Sequence, residues 1–294
     1  MLGYLYLFLA LTGGLIKGFT GKKISHDVHT LKDCLFVNFL RFLFCALISF
    51  GFLLAAPGGF ALPTLHELPF YLFSAVCMAA FCIVYMFGYQ TAAYMYLSIF
   101  GMLGSVLTGV LGNMIYQEPL NSGKWTGMAF LICAVVVMAK YNKAITMKET
   151  GKTLPLLILA AVSAALSDFS QKIFVNEIGG SAAAYNFYTY SFAALLLLLL
   201  SCSKGGLHAV SAPLLNGRHI LLCLVISAAL FMNSYSKTLA AAHLTAAEIY
   251  PVLQGANLIA SAVLAQILLK ERITLRSVAG MLCAFIGLMI MSFC

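Results

Sequence analysis

Four ionisable residues, Lys17, Arg41, Asp168 and Glu248, lie in stretches of this chain that are otherwise apolar. A charge at the centre of a bilayer costs about 2.5–3.5 kcal/mol on insertion scales, so such residues face a cavity or a partner rather than lipid. Two are cations and two are anions, so internal neutralisation accounts for them and the charge of a substrate cannot be read from them. Asp168 and Glu248 are the candidates for proton or other cation coupling, because desolvation penalises the charged form of a carboxylate. Their plainer alternatives are structural: Asp168 has Lys172 at i,i+4, and Lys17 lies near enough to the end of its stretch to snorkel.

Uncharged polar residues give a second signal. Tyr250, Gln254, Asn257 and Ser261 recur at i, i+4, i+7 and i+11 and therefore share one helix face. Hydrogen-bonding groups have no use facing lipid and must bond inside the protein, to each other or to a solute. Tyr85 and Tyr89 extend a stripe that begins with Tyr71, Ser74 and Met78; Asn233 stands beside Ser234 and Tyr235; Asn38 and Asn186 sit in comparable surroundings. Together with Arg41 these are the expected substrate-binding residues. Amides and hydroxyls suit a small organic solute, and tyrosine faces suit an organic cation.

Chemistry that breaks bonds has no such residues. Five of the six histidines (26, 29, 66, 208, 219) fall in or beside polar loops, and His243 opens a helix beside no Ser or Cys pair. Neither G-x-S-x-G nor H-E-x-x-H occurs, which leaves an intramembrane enzyme without a nucleophile or a metal site. The nine cysteines form no C-x-x-C pair and read as small apolar packing residues. No metal and no cofactor is expected. Gly58-Gly59 and Gly205-Gly206 lack the rest of a phosphate-binding loop.

These side chains need rigid elements to hold them, and the composition says which. The 294 residues are 62% hydrophobic and 9% charged, against about 25% charged in a soluble domain. Apolar runs near 20 residues recur along the chain, each long enough for a hydrocarbon core of about 30 Å. Read against Gly, Pro and charge punctuation, they predict helices over 2–20, 34–56, 68–89, 93–116, 122–140, 153–175, 182–202, 218–238, 244–269 and 273–293. The first lacks the basic flank and cleavage site of a signal peptide and is kept as a span. The net charge of +8 resides in short inter-helix loops, so nucleic acid is not implied.

The ten spans repeat as five and five. Phe19-Thr-Gly-Lys22 matches Phe169-Ser-Gln-Lys172, Asn38-Phe39 matches Asn186-Phe187, and Ala92-Ala-Tyr94 matches Ala241-Ala-His243. Glu118-Pro-Leu likewise matches Glu271-Arg-Ile, and Gly127-Met128 matches Gly280-Met281. Residues 1–145 and 146–294 thus form two related units. An odd number of spans per unit turns the second copy upside down relative to the first. The expected fold is an all-α membrane protein of ten transmembrane helices in a 5+5 inverted repeat, with substrate bound where the halves meet.

A fourth span that closes on Glu (Glu118, Glu271) and a fifth that opens on Gly-Met resemble the drug/metabolite transporter superfamily and its EamA-like repeat, and so do Arg41 and Ile249-Tyr-Pro251. The resemblance covers essentially the whole chain and implies a multi-pass carrier. Two positions depart from the pattern: Ser98 replaces the expected proline of the first half, and Thr189 the expected arginine of the second.

Loops after odd spans hold Lys22, Lys23, Lys32, Lys140, Lys143, Lys148, Lys152, Lys204, Arg218, Lys270, Arg272 and Arg276, while loops after even spans hold Lys124, Lys172 and Lys237. That bias places both termini outside a cell membrane, plasma or inner; the family resemblance implies both inside. The function expected is secondary active transport of a small organic solute, metabolite or drug-like, cationic or zwitterionic, by alternating access of the two halves. The expected partners are the solute, the lipid bilayer and a coupling ion, with the protein a monomer or homodimer. A non-transporting membrane scaffold or sensor is the alternative, with the intramembrane enzyme behind it.

Overall fold

The computed structural model describes residues 2–56, 60, 62–91, 94–118, 120–142, 150–203, 214, 216–269 and 275–293. They form ten α-helices and no strand: α1 (Leu2–Ser25), α2 (Leu31–Ala55), α3 (Leu68–Thr91), α4 (Tyr94–Tyr116), α5 (Ser122–Asn142), α6 (Thr150–Glu177), α7 (Ala182–Ser203), α8 (Gly217–Ala241), α9 (Ala246–Leu269) and α10 (Leu275–Phe293). Every expected span is present. α1 runs five residues beyond its expected end, because Lys22 and Lys23 complement the negative end of the helix dipole instead of stopping the helix. α9 passes through Pro251 without a break. By length and hydropathy, α1, α2, α3, α6, α7 and α8 are each able to cross a bilayer.

Helix starts are written in a recurring local code. Thr30 accepts from the Asp33 amide while the Asp33 carboxylate accepts from the Thr30 amide, a complete capping box at α2. Thr64 and Glu67 exchange the same two bonds ahead of α3. Thr245 and Glu248 repeat the Thr-x-x-Glu spacing at α9, where the Thr245 amide donates to Glu248 Oε2 at 2.9 Å.

The helices pack as two compact units, Met1–Gln90 with Ser170–Ala242, and Thr91–Phe169 with His243–Cys294. Each unit draws helices from both sequence repeats. In the first unit α2 pairs with α7, its equivalent in the other repeat, and α1 pairs with α8. Phe42 stacks on Tyr190 (centroids 5.9 Å apart) and Phe50 meets Phe187 (5.4 Å), so α2 and α7 run in opposite directions. At Gly13 of α1 a Cβ would lie 2.7 Å from the Ala229 carbonyl oxygen, so only glycine lets α1 and α8 approach this closely.

In the second unit α4 pairs with α9 and α5 with α10, again equivalent helices. Gly109, late in α4, lies against Ala247 and Pro251, early in α9. Gly127, early in α5, faces Gly287, late in α10; a Cβ on Gly287 would come within 2.8 Å of the Gly127 carbonyl oxygen. Three equivalent pairs, α2 with α7, α4 with α9 and α5 with α10, are therefore antiparallel, which is the packing an inverted duplication must give. Their interiors are apolar, around Met102, Met128, Leu131 and Leu258 in the second unit and Phe42, Ala79, Tyr190 and Leu197 in the first. Leu197 lies within a run of six leucines whose uniform character suggests lipid contact; it is fully buried, while Leu195 and Leu199 are exposed.

Candidate functional site

In the first unit, α2 carries the polar pair Asn38 and Arg41, one helical turn apart and both buried. The Asn38 amide nitrogen donates to the Cys34 carbonyl oxygen at 2.9 Å, which turns its oxygen toward Arg41, and Arg41 Nη1 donates to that oxygen at 2.7 Å. Arg41 is 6% exposed, and its buried Nε has no hydrogen-bond partner among the described residues. Lys17 of α1 lies over the Phe81 ring at 5.4 Å, and Phe81 in turn contacts Tyr85 at 4.2 Å. Tyr89 belongs to α3, but its side chain lies outside the described residues.

Asn186 of α7 has the same local geometry as Asn38. Its amide nitrogen donates to the Ala182 carbonyl oxygen four residues back, at 2.8 Å. Among the described residues its oxygen is buried without a partner, and Thr189 stands where Arg41 stands in the other half. Nearby in sequence, Tyr185 joins α7 to two other helices, donating to Ser74 Oγ at 3.1 Å and lying 3.3 Å from Ser170 Oγ. Tyr71, Phe174 and Tyr188 complete an aromatic cluster around it. Asn233 of α8 donates to the Ala10 carbonyl oxygen at 2.6 Å and binds α1 to α8.

The second unit holds the rest. Glu248, the third residue of α9, pairs with Lys124 at 3.1 Å while it caps its own helix. Glu118, which closes the fourth span of the first repeat, accepts from the Ala246 amide at 2.7 Å and so caps the fourth helix of the second repeat. Carboxylates at a helix N-terminus are favoured by the dipole. Asn113 donates to the Glu118 carbonyl oxygen at 2.7 Å and fixes this turn. Glu271, its counterpart, lies outside the described residues. On α9, Tyr250 and Ser261 are fully buried, Asn257 donates to Gln254 at 3.4 Å, and Asn257 Oδ1 is buried without a partner among the described residues. Asp168 of α6 is buried.

The structure thus joins Asn38 to Arg41 and Gln254 to Asn257. It distributes the expected residues over two units: Lys17, Asn38, Arg41, Tyr85, Tyr89, Asn186 and Asn233 in the first, and Asp168, Glu248, Tyr250, Gln254, Asn257 and Ser261 in the second. Lys124, Lys172 and Lys237, counted with the even loops though they lie at the ends of expected spans, are all buried within helices; Lys172 Nζ donates to the Ala241 carbonyl oxygen at 3.3 Å. Residues missed by sequence reading are Lys124, whose partner lies 124 positions away, and Thr245, whose Thr-x-x-Glu spacing announces a cap.

Ten helices, a doubled five-helix plan and antiparallel pairing of equivalent helices fit a multi-pass membrane protein. The EamA-like transporter family matches residues 1–140 and 151–293, and the chain belongs to that family. The family is one of transporters, not enzymes. A search of curated proteins returned no significant match. A solved structure, titled only as the crystal structure of a protein, is similar over 98% of both chains with a TM-score of 0.73 at 12% identity, a likeness of fold.

Proposed function

We propose that this protein is a secondary transporter of a small organic solute, working by alternating access between its two inverted five-helix halves. The observation that carries the reading is the antiparallel pairing of equivalent helices, α2 with α7, α4 with α9 and α5 with α10. A bundle made twice from one plan has two packings of near-equal energy, one open to each side, and a solute that binds both can be carried between them. Arg41, Asn38, Asn186 and the α9 face of Tyr250, Gln254, Asn257 and Ser261 are the proposed substrate contacts, with Tyr85, Tyr89 and Asn233 beside them. Asp168 and Glu248 are the proposed coupling carboxylates, Lys17 the charged residue accompanying them. Glu248 can act only if its pair with Lys124 opens during the cycle.

The excess of Lys and Arg along the sequence at the ends of odd spans supports a cytoplasmic placement of the odd loops. The test is direct. Vesicles of purified protein, loaded with a defined metabolite mixture, are expected to lose particular members faster than protein-free vesicles, as followed by mass spectrometry. A proton dependence that disappears in Asp168→Asn or Glu248→Gln would assign the coupling group. Identical release from both kinds of vesicle would overturn the transporter reading and leave the scaffold or sensor in its place.

A further inference from the structure

Among the described residues Arg41 has no carboxylate paired with it. It is the eleventh residue of the 25-residue α2, about 15 Å along the helix from its start and so near its middle. Arginine stays protonated at any physiological pH. Burying it unpaired is costly unless a partner anion completes it. The guanidinium is within electrostatic reach of four buried cysteines, Cys34, Cys45, Cys82 and Cys223, and its hydrogen-bonding neighbour is an amide.

The acids of the first unit are engaged elsewhere. Asp27 pairs with His219 at 2.8 Å, Asp33 locks the α2 capping box about 12 Å back along the axis, Glu67 caps α3 and Glu177 is exposed at the end of α6. Lys17 adds further positive potential, since it acts on Cys45 and Cys82 as Arg41 does.

The guanidinium geometry says what could complete it. Asn38 occupies Nη1, and no hydrogen bond involves Nε or Nη2 among the described residues. Nε and Nη2 point their hydrogens in parallel along one edge, the edge that grips a planar carboxylate with two bonds. Resting on the transporter reading above, we propose that the solute carries a carboxylate and that this group docks on the Nε/Nη2 edge of Arg41. A planar carboxylate offers two coplanar oxygens to this edge and meets the guanidinium one charge to one, while Lys17 keeps the surroundings positive. Asn38 is a positioning residue here, since its bond to Nη1 fixes which edge is presented.

The test uses the full chain, purified in detergent with ¹⁵N-labelled arginine. Arg41 is one of four arginines, with Arg218, Arg272 and Arg276, so its Nε signal is assigned by its loss in Arg41→Lys. Lactate is titrated against lactamide, its uncharged isostere, and against inorganic phosphate. The expected result is a saturable shift of the Arg41 Nε signal with lactate, none with lactamide, and no matching movement of the other three arginines. Arg41→Lys keeps charge but loses the fork, so lactate protection against thermal unfolding should need about ten- to hundredfold more ligand.

An Arg41 signal that ignores lactate, follows lactamide equally or moves only with phosphate overturns the carboxylate site. If vesicles still release a solute in that event, the transporter reading survives alone. A lactate-responsive Arg41 in protein that moves no solute supports the site and removes the carrier.

Discussion

Asn38 and Asn186 hold the same place in the two repeats and make the same bond, each amide reaching back four residues to a carbonyl oxygen. The residue three positions further along each helix differs. In α2 it is Arg41, which uses the freed amide oxygen; in α7 it is Thr189, and the Asn186 oxygen is left buried without a donor. Backbone geometry has outlasted the duplication while charge has not. A second contrast runs between the compact units, because the buried cation of the second, Lys124, has Glu248 at 3.1 Å, whereas Arg41 of the first has an amide. One of these buried cations has its carboxylate and the other awaits an anion.

The largest break in that contrast should come from Glu248→Gln. Glutamine keeps an acceptor for the Thr245 amide but removes the carboxylate charge that faces the buried Lys124. The expected cost is about 2–4 kcal/mol, set below the full range for buried pairs because the Glu248 side chain is 29% exposed. Unfolding in a graded denaturing detergent measures it, and adding Lys124→Met should recover at least half. A Glu248→Gln protein as stable as the parent would mean that the second unit does not depend on its pair.

A smaller effect sharpens the comparison of the two asparagines. Asn38→Leu strips Arg41 of its one side-chain bond and should cost about 1.5–3 kcal/mol, the range for a hydrogen bond to a charged group. Asn186→Leu removes one neutral bond and also a buried acceptor with no donor, so the two changes offset and the cost should stay under about 1 kcal/mol. Equal costs by the same unfolding assay would show that the two sites are energetically alike despite Thr189.

The sequence makes the ten helices legible, because a bilayer demands about 20 apolar residues at a time and leaves few other readings. Repeat matches such as Glu118 with Glu271 are legible as a pattern but not as a purpose; only the fold reveals Glu118 at the N-terminus of α9. Glu248 illustrates the opposite error. Counted from an expected start at residue 244 it falls inside the span, yet it is the third residue of α9. The Thr245-Ala-Ala-Glu248 spacing, a capping signal, is the better guide. Lys124 and Lys237 fall at the ends of their expected spans and are counted with the loops because charge is the usual mark of a boundary; burial inside a helix needs partners that no local window contains. The Asn38–Arg41 contact is implicit in i,i+3 spacing, but the missing counter-charge is a property of the assembled unit.

Arg41→Gln should have the smallest effect on stability, and its sign separates the two units. Glutamine is shorter and neutral, and its amide can still meet the Asn38 oxygen. Losing Arg41 forfeits a charge-assisted bond but also removes an uncompensated buried charge, so the variant should be as stable as the parent or up to about 1 kcal/mol more stable. The same unfolding assay that finds Glu248→Gln weakened should find Arg41→Gln intact. If Arg41→Gln instead falls as far as Glu248→Gln, the guanidinium is a structural tie between α2 and its neighbours. The contrast between a cation paired with a carboxylate and one that awaits an anion would then be lost.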